Sequence, residues 1–424
     1  MRKILLLSFN LILSQLLANQ LPSIVQCNII RNSNLLELSY EVSDSDNSMV
    51  EIQCNIYYNS GIKKNKMISI KSIIGDIGYP VLLGPNKKIT IELTDLADLN
   101  ADINIILSAY DREKIDISEI LNQVSTTRIN TDLLTLQGKR NEVTDKAFKE
   151  QSRLYIINQF GKKNNLLKFE SKIGNQTNIN IESTQWGTRT PDSIQIVDAH
   201  YDSYNVAPGA DDNASGVIGV LEVYRILNCY ASNKTIKYVF FDLEESGLIG
   251  SNLYINNQVH INDKIENVIN YEMIGYYTEQ DNTQDLPAGF NILFPEAYNE
   301  VIANNRKGNF ITNVGNTNSK KLIFSFSEAA KKYVPNLKVI NLEVPGTGTV
   351  VPDLRRSDHA NFWDKGLKAL MITDGANFRN KNYHTFKDSA QYLNLDFMAS
   401  IIKTTIATLI ELAGIEHGCS VGLN

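Results

Sequence analysis

The stretch DAHYDSYNVAPGADDNASG, residues 198–216, sets a pattern that the second half of the chain repeats: a strand, a polar loop and a helix. The apolar run before it, residues 192–199, predicts a buried strand, and the apolar positions after it predict a helix. His200 and several aspartates lie between the two elements, together with the turn signal Pro208-Gly209. The whole chain has only five histidines. The loop is therefore either an ordinary polar surface loop or half of a metal site.

Apolar runs and helical patterns alternate from about residue 127 to the end of the chain. The runs have the length of buried strands, and the stretches between them have the apolar spacing of helices. This alternation predicts an α/β fold with a mostly parallel, mixed sheet and helices on both faces. The predicted strands are 192–200, 236–245, 266–275, 290–296 and 367–375, and the predicted helices include 144–161, with Thr144 as N-cap, and a long final helix over 394–414.

The preceding part of the chain, residues 21–125, has a different periodicity. Apolar and polar residues alternate in short runs, and turn clusters such as SDSDNS (43–48) separate the runs. This pattern predicts a small all-β sandwich domain, similar to the fibronectin or immunoglobulin-like modules of exported enzymes. We place the α/β domain at 126–424. No histidine occurs before His200, so we expect the chemistry to lie in the α/β domain.

The composition limits the classes of partner. The chain has 424 residues, 43% of them hydrophobic, and a net charge of −6 without a long basic run. These values are typical of a globular protein and argue against nucleic acid as a partner. We expect small molecules or peptides as ligands instead.

The first 20 residues predict a signal peptide. Arg2 and Lys3 precede a mostly apolar run over 4–18 that ends at the small residue Ala18. The run is too short for an ordinary membrane span, although an uncleaved anchor is the alternative. We therefore expect an exported protein, periplasmic, at the cell surface or secreted, with no membrane span after cleavage.

The chain has four cysteines, an even number that permits disulfides in an exported protein. Cys27 and Cys54 lie in neighbouring predicted strands and could pair. Cys229 and Cys419 could pair only if the C-terminus folds back. Four free thiols are the alternative, and none of the spacings is that of a zinc site.

Four polar clusters follow predicted strands of the α/β domain: AHYD (199–202), FDLEES (241–246), YEMIG (271–275) and NYHTFKDS (382–389). In such sheets, ligands bind beyond the carboxyl ends of the strands. Imidazole and carboxylate groups are good zinc ligands, and two zinc ions need one shared carboxylate and further ligands for each ion. The chain offers His200, Asp212, Glu245, Glu272 and His384 for this role. One acid of the Glu244-Glu245 pair remains as a general base.

The sequence also resembles a known family. The segments HYDSYNVAPGADDNASG, FDLEESGLIGS, NYEMIGYY, RRSDHANFWDKGLKALMIT and YHTFKDS are similar, in order and spacing, to the signature segments of the co-catalytic di-zinc exopeptidases, the family of bacterial leucyl aminopeptidases and glutamate carboxypeptidase. The similarity covers roughly residues 127–415. It implies the zinc exopeptidase fold and two Zn²⁺ ions per chain.

The resemblance also implies a role for individual residues. Asp212, not Asp211, bridges the metals, and the Asp212–Asn213 peptide bond is often cis in the family. Glu244 is the general base, and Tyr383 stabilises the oxyanion. The other implied roles are those of metal ligands, for His200, Glu245, Glu272 and His384, and of an acid that orients His200, for Asp202.

One position in the segments differs from the family pattern, and two further residues have no assigned role. Position 272 is Glu where many relatives have Asp. In RRSDH (355–359), Asp358 and His359 lie beside the site or in its wall, or Asp358 only starts a helix. His260 and His417 lie outside the segments, and we expect His417 to be exposed.

These features predict an exported zinc-dependent exopeptidase. An aminopeptidase acting on peptides is favoured, because acidic groups near the metals attract a free α-ammonium group more than a free carboxylate. The alternatives are a carboxypeptidase or a glutaminyl cyclase-like enzyme on the same fold, or a metal-free binding protein. In the aminopeptidase, a metal-bridging water attacks the peptide bond and Glu244 takes its proton.

Overall fold

The structure is a computed structural model that describes residues 20–60, 63–94, 102–161 and 166–423. The predicted signal peptide, apart from Gln20, lies outside the described residues. Within the ranges described, no helix has the length and apolar character needed to span a membrane.

The described chain has the following helices and strands. The strands are β1 (Ser23–Asn32), β2 (Leu35–Ser43), β3 (Met49–Tyr58), β4 (Ile70–Gly75), β5 (Gly78–Leu82), β6 (Gly84–Leu93), β7 (Ile103–Tyr110), β8 (Leu166–Ile173), β9 (Gln176–Gln185), β10 (Thr190–His200), β11 (Ala231–Ser232), β12 (Lys234–Phe241), β13 (Lys264–Tyr271), β14 (Ile311–Asn316), β15 (Val339–Val344), β16 (Ala369–Thr373), β17 (Ile415–Glu416) and β18 (Gly418–Leu423). The helices are α1 (Ile117–Asn122), α2 (Thr126–Leu136), α3 (Lys146–Asn158), α4 (Gly216–Leu227), α5 (Ile249–Leu253), α6 (Phe290–Leu293), α7 (Pro295–Ala303), α8 (Lys320–Tyr333), α9 (His359–Asp364) and α10 (Leu395–Ala413).

The fold is the expected α/β class, built on an eight-stranded mixed sheet in the order β15-β14-β16-β13-β10-β12-β9-β8. The four central strands, β16, β13, β10 and β12, run parallel to one another. β9 and β8 on one side and β14 and β15 on the other make the sheet mixed. The carboxyl ends of the four parallel strands therefore meet at one edge.

Both faces of the sheet are covered by helices. Residues of α2, α4, α8 and α10 pack on one face together with Val197 and Ala199 of β10. Residues of α6, α7 and α9 pack on the other face together with Ile194 and Ile196. Alternate positions of one strand thus bury apolar side chains on both sides, which is why these strands are almost continuously apolar in sequence.

The N-terminal part of the described chain forms two antiparallel sheets. Their orders are β1-β2-β6-β4 and β18-β7-β3-β5, and their facing side chains form a separate apolar core. The strand pattern of residues 21–125 predicted such a sandwich. One of its strands, however, comes from the other end of the chain: β18, in the segment assigned to the α/β domain, pairs with β7.

The return of the C-terminus also changes the environment of His417. We expected an exposed tail residue, but His417 is only 9% exposed, and its Nδ1 lies 2.5 Å from Asp111 Oδ2. Burial lowers the pKa of His417, whereas the hydrogen bond and charge of Asp111, with Asp46 and Asp44, raise it above its ordinary value. The histidine therefore gains its charge more easily in the folded chain than in the unfolded chain.

His417→Gln is expected to lower the free energy of unfolding by about 1–2 kcal/mol near pH 6, because a charge-assisted hydrogen bond is lost. A group whose pKa is raised by folding stabilises the fold below its unfolded pKa of about 6.5, and this contribution is lost as the pH rises through the folded value. Urea denaturation of both proteins at pH 6 and pH 9 checks this. An equal loss at both pH values would show that the charge of His417 does not matter.

Two expectations about local structure are wrong. Residues 290–296 form α6 and the start of α7, not a strand. The rings of Phe290 and Phe294, four residues apart as on one face of a helix, pack together with their centroids 5.2 Å apart. The N-cap of α3 is Asp145, which accepts a hydrogen bond from the Phe148 N–H. Thr144 instead donates to the carbonyl of Asn205.

All four cysteines are free thiols. Neither of the two possible pairs, Cys27 with Cys54 or Cys229 with Cys419, forms a disulfide. The alternative of free thiols therefore describes the structure.

Candidate metal centre

The loop between β10 and α4 carries the first half of the site. Gly209 has a φ of 60°, and a Cβ atom there would lie 2.4 Å from the carbonyl oxygen of Asp212, so the turn requires glycine. Asp212 and Asn213 then leave helical geometry, and the peptide bond between them is cis. The buried guanidinium of Arg140 donates to the carbonyls of Tyr201 and Gly209, which fixes both ends of the loop.

The carboxyl ends of the parallel strands bring the five predicted ligands and the predicted base, Glu244, together in two clusters. His200, Glu244 and Glu272 form the first, and Asp212, Glu245 and His384 form the second. Within each cluster, the possible ligand atoms all lie within 4.8 Å of one another. Among the residues that the structure describes, no other such clusters of histidine, cysteine and acidic residues occur.

Asp212 lies between the two clusters. Its Oδ1 is 3.3 Å from His200 Nε2, and its Oδ2 is 3.1 Å from His384 Nε2. His200 Nε2 is also 3.3 Å from Glu272 Oε2, and His384 Nε2 is 3.2 Å from Glu245 Oε2. Each oxygen of the Asp212 carboxylate thus faces a different histidine–carboxylate pair, which is the arrangement of a bridging ligand.

These separations fit zinc. Ligand atoms about 2.0–2.1 Å from one ion, at tetrahedral angles, lie about 3.3 Å apart. The four N–O separations above are 3.1–3.3 Å. Among the residues that the structure describes, neither ring nitrogen of the buried His200 has a hydrogen-bond partner, which a metal ion bound at Nε2 would explain for that nitrogen. The donor set, imidazole and carboxylate, is also the one zinc prefers in open sites.

The negative charge of the carboxylates in the site favours the binding of cations. Burial and the charges of Glu272, Glu245 and Asp358 raise the pKa of Glu244 well above its ordinary value. Burial lowers the pKa of His200, but the surrounding carboxylates raise it well above its ordinary value. Buried carboxylates that repel one another destabilise the fold unless positive charge is supplied.

Asp202 supports the ligands on two elements at once. Its Oδ1 is 3.4 Å from His200 Nδ1 and accepts a hydrogen bond from the Glu244 N–H, and its Oδ2 accepts one from the Glu245 N–H. One carboxylate therefore lies beside the histidine at the end of β10 and holds the backbone of the acidic pair after β12. The structure places Asp202 beside His200, where the resemblance implies an orienting acid.

Two supporting residues received no role from the sequence. Asp388 accepts hydrogen bonds from the N–H groups of Asp211 and Asp212 at 2.9 and 3.1 Å, and Ser357 donates to Glu272 Oε2 at 2.8 Å. Both lie within quoted segments, YHTFKDS and RRSDH. Only the contacts distinguish them from solvent-exposed polar residues, because their partners are far away in sequence.

Tyr383 and His384 lie side by side. Their rings are stacked with centroids 3.7 Å apart, and Tyr204 covers the opposite face of His384 at 4.0 Å. The imidazole is thus held between two phenol rings with its Nε2 directed at Asp212 and Glu245.

Asp358 lies close to Glu244 and Glu272 of the site, whereas the contacts of His359 are with Leu354 and Trp363. Asp358 precedes α9, but its carboxylate makes no capping hydrogen bond, so the helix-start explanation does not account for it. His359 is buried against Trp363, and its Nε2 contacts the carbonyl of Leu354 at 2.9 Å. Burial lowers the pKa of His359 to about 4. His260 belongs to neither cluster.

Comparison with known proteins gives a match to one family. Residues 180–409, more than half of the chain, match the model of peptidase family M28. The matched range contains all the residues of the two clusters.

Individual relatives agree with this match. The uncharacterized protein YfbL of Escherichia coli is 33% identical over 226 residues, which are 50% of this chain and 65% of that protein. Aminopeptidase Y of Saccharomyces cerevisiae is 27% identical over 233 residues, 52% of this chain and 37% of that protein. The chain thus spans less than two thirds of either relative.

A solved structure with a similar fold is that of the LapA aminopeptidase of Legionella pneumophila. The TM-score is 0.53 at 19% sequence identity, and the match covers 71% of this chain and 78% of LapA. At this identity the likeness concerns the fold alone.

Proposed function

The chain belongs to peptidase family M28, and on this basis we propose that it is an aminopeptidase that uses two zinc ions to remove N-terminal residues from peptides. One observation carries the proposal: the two oxygens of Asp212 face two different histidines, His200 and His384, each at 3.1–3.3 Å. A carboxylate placed in this way serves a pair of ions better than a single ion. The name of the yeast relative, aminopeptidase Y, supports the same activity.

Each residue of the site has a proposed role. His200 and Glu272 would hold one zinc ion, Glu245 and His384 would hold the other, and Asp212 would be shared between them. When bound, zinc polarises the peptide carbonyl and makes water more acidic. Glu244 is the general base: its Oε2 is 3.8 Å from His200 Nε2 within the first cluster, and it lies on the same turn as Glu245. It accepts the proton of the attacking water and delivers it to the leaving amine.

The site is better suited to a free α-ammonium group than to a free carboxylate. Glu272 and Asp358 are buried and Glu244 is largely buried. Burial and the charge of Glu272 raise the pKa values of both Glu244 and Asp358. A positively charged amino group relieves this repulsion, whereas a carboxylate adds to it. This favours cleavage from the N-terminus over the carboxypeptidase alternative.

A cavity next to the site supports a proposal for the N-terminal residue that the protein removes from its substrates. Glu272 and Tyr383 line its end near the metal clusters. Most of the remaining wall is apolar: Leu286, Phe290, Val301, Phe310, Ile340, Leu342, Met371 and Phe378. We propose that it holds a large apolar side chain of the N-terminal residue, such as Leu or Phe.

Filling this cavity should change the choice of substrate. Thr312→Phe, on β14 in the cavity wall, is expected to lower kcat/KM for Phe and Leu anilides about 10-fold or more, with a much smaller change for the Ala anilide. The measurement is a comparison of kcat/KM across the three anilides. Thr135→Phe, on the exposed face of α2, is the matched control. Equal losses on all three anilides would place the N-terminal side chain elsewhere.

The proposed activity is tested by a hydrolysis profile. Free dipeptides, N-acetylated dipeptides and a substrate with N-terminal glutamine are incubated with the protein, with and without a chelator. We expect hydrolysis of the free dipeptides only, abolished by the chelator. Cleavage of acetylated dipeptides with a free carboxyl end would favour a carboxypeptidase, and cyclisation of the glutamine substrate would favour a cyclase.

We also propose that the protein is exported, with peptides outside the cytoplasm as substrates. The support is the sequence of the first 20 residues, a basic start followed by an apolar run. Cell fractionation followed by N-terminal sequencing tests this. A chain that retains Met1 and is found only in the cytoplasm would contradict it.

A further inference from the structure

Tyr383 is held by an arginine that has no role so far. Arg356 Nη2 lies 2.8 Å from the hydroxyl oxygen of Tyr383, and the guanidinium lies over the phenol ring, 5.5 Å from its centroid. Both residues line the cavity beside Glu272. The contact therefore lies at the junction between the apolar cavity and the metal clusters.

Arg356 is itself fixed. Its Nη1 donates to Asn377 Oδ1 at 2.9 Å and lies 3.7 Å from Asp353 Oδ1. The next residue in the chain, Ser357, donates to Glu272 Oε2. One short segment thus supports both a proposed metal ligand and, through Arg356, the phenol of Tyr383.

The direction of the hydrogen bond follows from the chemistry of the two groups. A guanidinium has donors and no acceptor, so the oxygen of Tyr383 must accept from Arg356. The one hydrogen of the phenol then points elsewhere. Among the described residues, no hydrogen bond is donated by the Tyr383 hydroxyl, so that hydrogen is available to a substrate on the side of the metal clusters.

We propose that Arg356 is a positioning residue that turns the Tyr383 hydroxyl so that its hydrogen points at the carbonyl oxygen of the scissile peptide bond. This inference rests on the proposed function, because it assumes a peptide carbonyl at the site. A donor that is aimed before the reaction stabilises the negative charge that forms on that oxygen without reorganisation. Arg356 therefore acts through Tyr383, not by its own contact with the substrate.

A double-mutant cycle tests whether the two residues act as one unit. Tyr383→Phe is expected to lower kcat about 10²-fold, the usual cost of one oxyanion donor. Arg356→Met is expected to lower kcat about 10-fold with KM within about threefold of the wild-type value, because only a transition-state contact is weakened. The double variant should be no slower than Tyr383→Phe within about threefold, because Arg356 has nothing left to position.

Binding of a transition-state mimic gives a readout that does not depend on turnover. The phosphonate analogue of leucine, which carries tetrahedral oxygens, should bind about 10-fold more weakly to Arg356→Met, while free leucine binds as to the wild type. Asn377→Ala, which keeps Arg356 but removes the acceptor of its Nη1 hydrogen bond, should weaken binding of the analogue by a smaller factor. Arg189→Met, at the opposite end of β10, is the control for the chemical change and should have no effect.

The outcomes separate the two proposals. Losses that multiply in the double variant, or a rise in KM with unchanged kcat, would show that Arg356 contacts the substrate itself and would overturn the inference. A wild-type protein without peptidase activity would overturn the proposed function instead. Zinc content and the urea midpoint of each variant identify any that fail to fold, and Asn377→Ala then remains as the test.

Discussion

Glu244→Gln is expected to lower kcat on an amino-acid anilide by about 10²–10⁴-fold, the usual contribution of a general base. Glutamine has nearly the same shape but cannot accept the proton of the attacking water. Zinc content should stay at the wild-type value, because the proposed ligands of the first ion, His200, Glu272 and Asp212, are unchanged. The measurements are steady-state kinetics and metal analysis of the same preparation.

The neighbouring acid is the matched control for this prediction. Glu245 lies on the same turn, but its carboxylate faces His384 at 3.2 Å in the second cluster. Glu245→Gln should therefore lose zinc as well as activity. If Glu244→Gln kept near wild-type kcat, or lost zinc in the way that Glu245→Gln does, Glu244 would not be the base.

Asp212→Ala is expected to lose both proposed zinc ions. Its kcat should fall at least about 10³-fold, because the metals would contribute several kcal/mol to the stabilisation of the transition state. The reason is the position of Asp212, whose oxygens face both histidines. Loss of a bridging ligand weakens both sites, whereas loss of a terminal ligand weakens one. Zinc content after dialysis against metal-free buffer is the measurement.

Asp211→Asn distinguishes Asp212 from its neighbour. The Asp211 carboxylate accepts hydrogen bonds from the Gly275 N–H and from Asn380 Nδ2, at 2.9 and 2.8 Å. It is turned away from the histidines, so this variant should keep its zinc even if it is less stable. Zinc loss in Asp211→Asn with retention in Asp212→Ala would show that Asp211, not Asp212, is the bridging ligand.

Local periodicity predicted the strands at the centre of the sheet and placed the proposed ligands at their carboxyl ends. The parallel strands β10, β12, β13 and β16 are long apolar runs with polar residues directly after them. The rule that carboxyl ends of parallel strands share an edge then brings His200, Glu245, Glu272 and His384 together. The choice of Asp212 over Asp211 came only from the family resemblance, because the two residues are chemically identical in sequence.

Features that depend on contacts between distant residues could not be predicted in this way. β18 is a short strand whose partner, β7, lies more than 300 residues earlier, and its pairing follows no local signal. Residues 290–296 are apolar enough for a strand, and only their burial on one side, at Phe290 and Phe294, shows a helix. The contact between Arg356 and Tyr383 likewise joins two loops.

Titration of the metal-free protein with zinc tests the proposed two-zinc aminopeptidase most directly. The protein is stripped with a chelator, and zinc is returned in steps while hydrolysis of leucine anilide and N-acetyl-leucine anilide is followed. We predict that the rate on the free substrate rises to a plateau at two zinc ions per chain and that the acetylated substrate is not cleaved. Full activity at one zinc per chain, equal cleavage of the acetylated substrate, or activity without metal would contradict it.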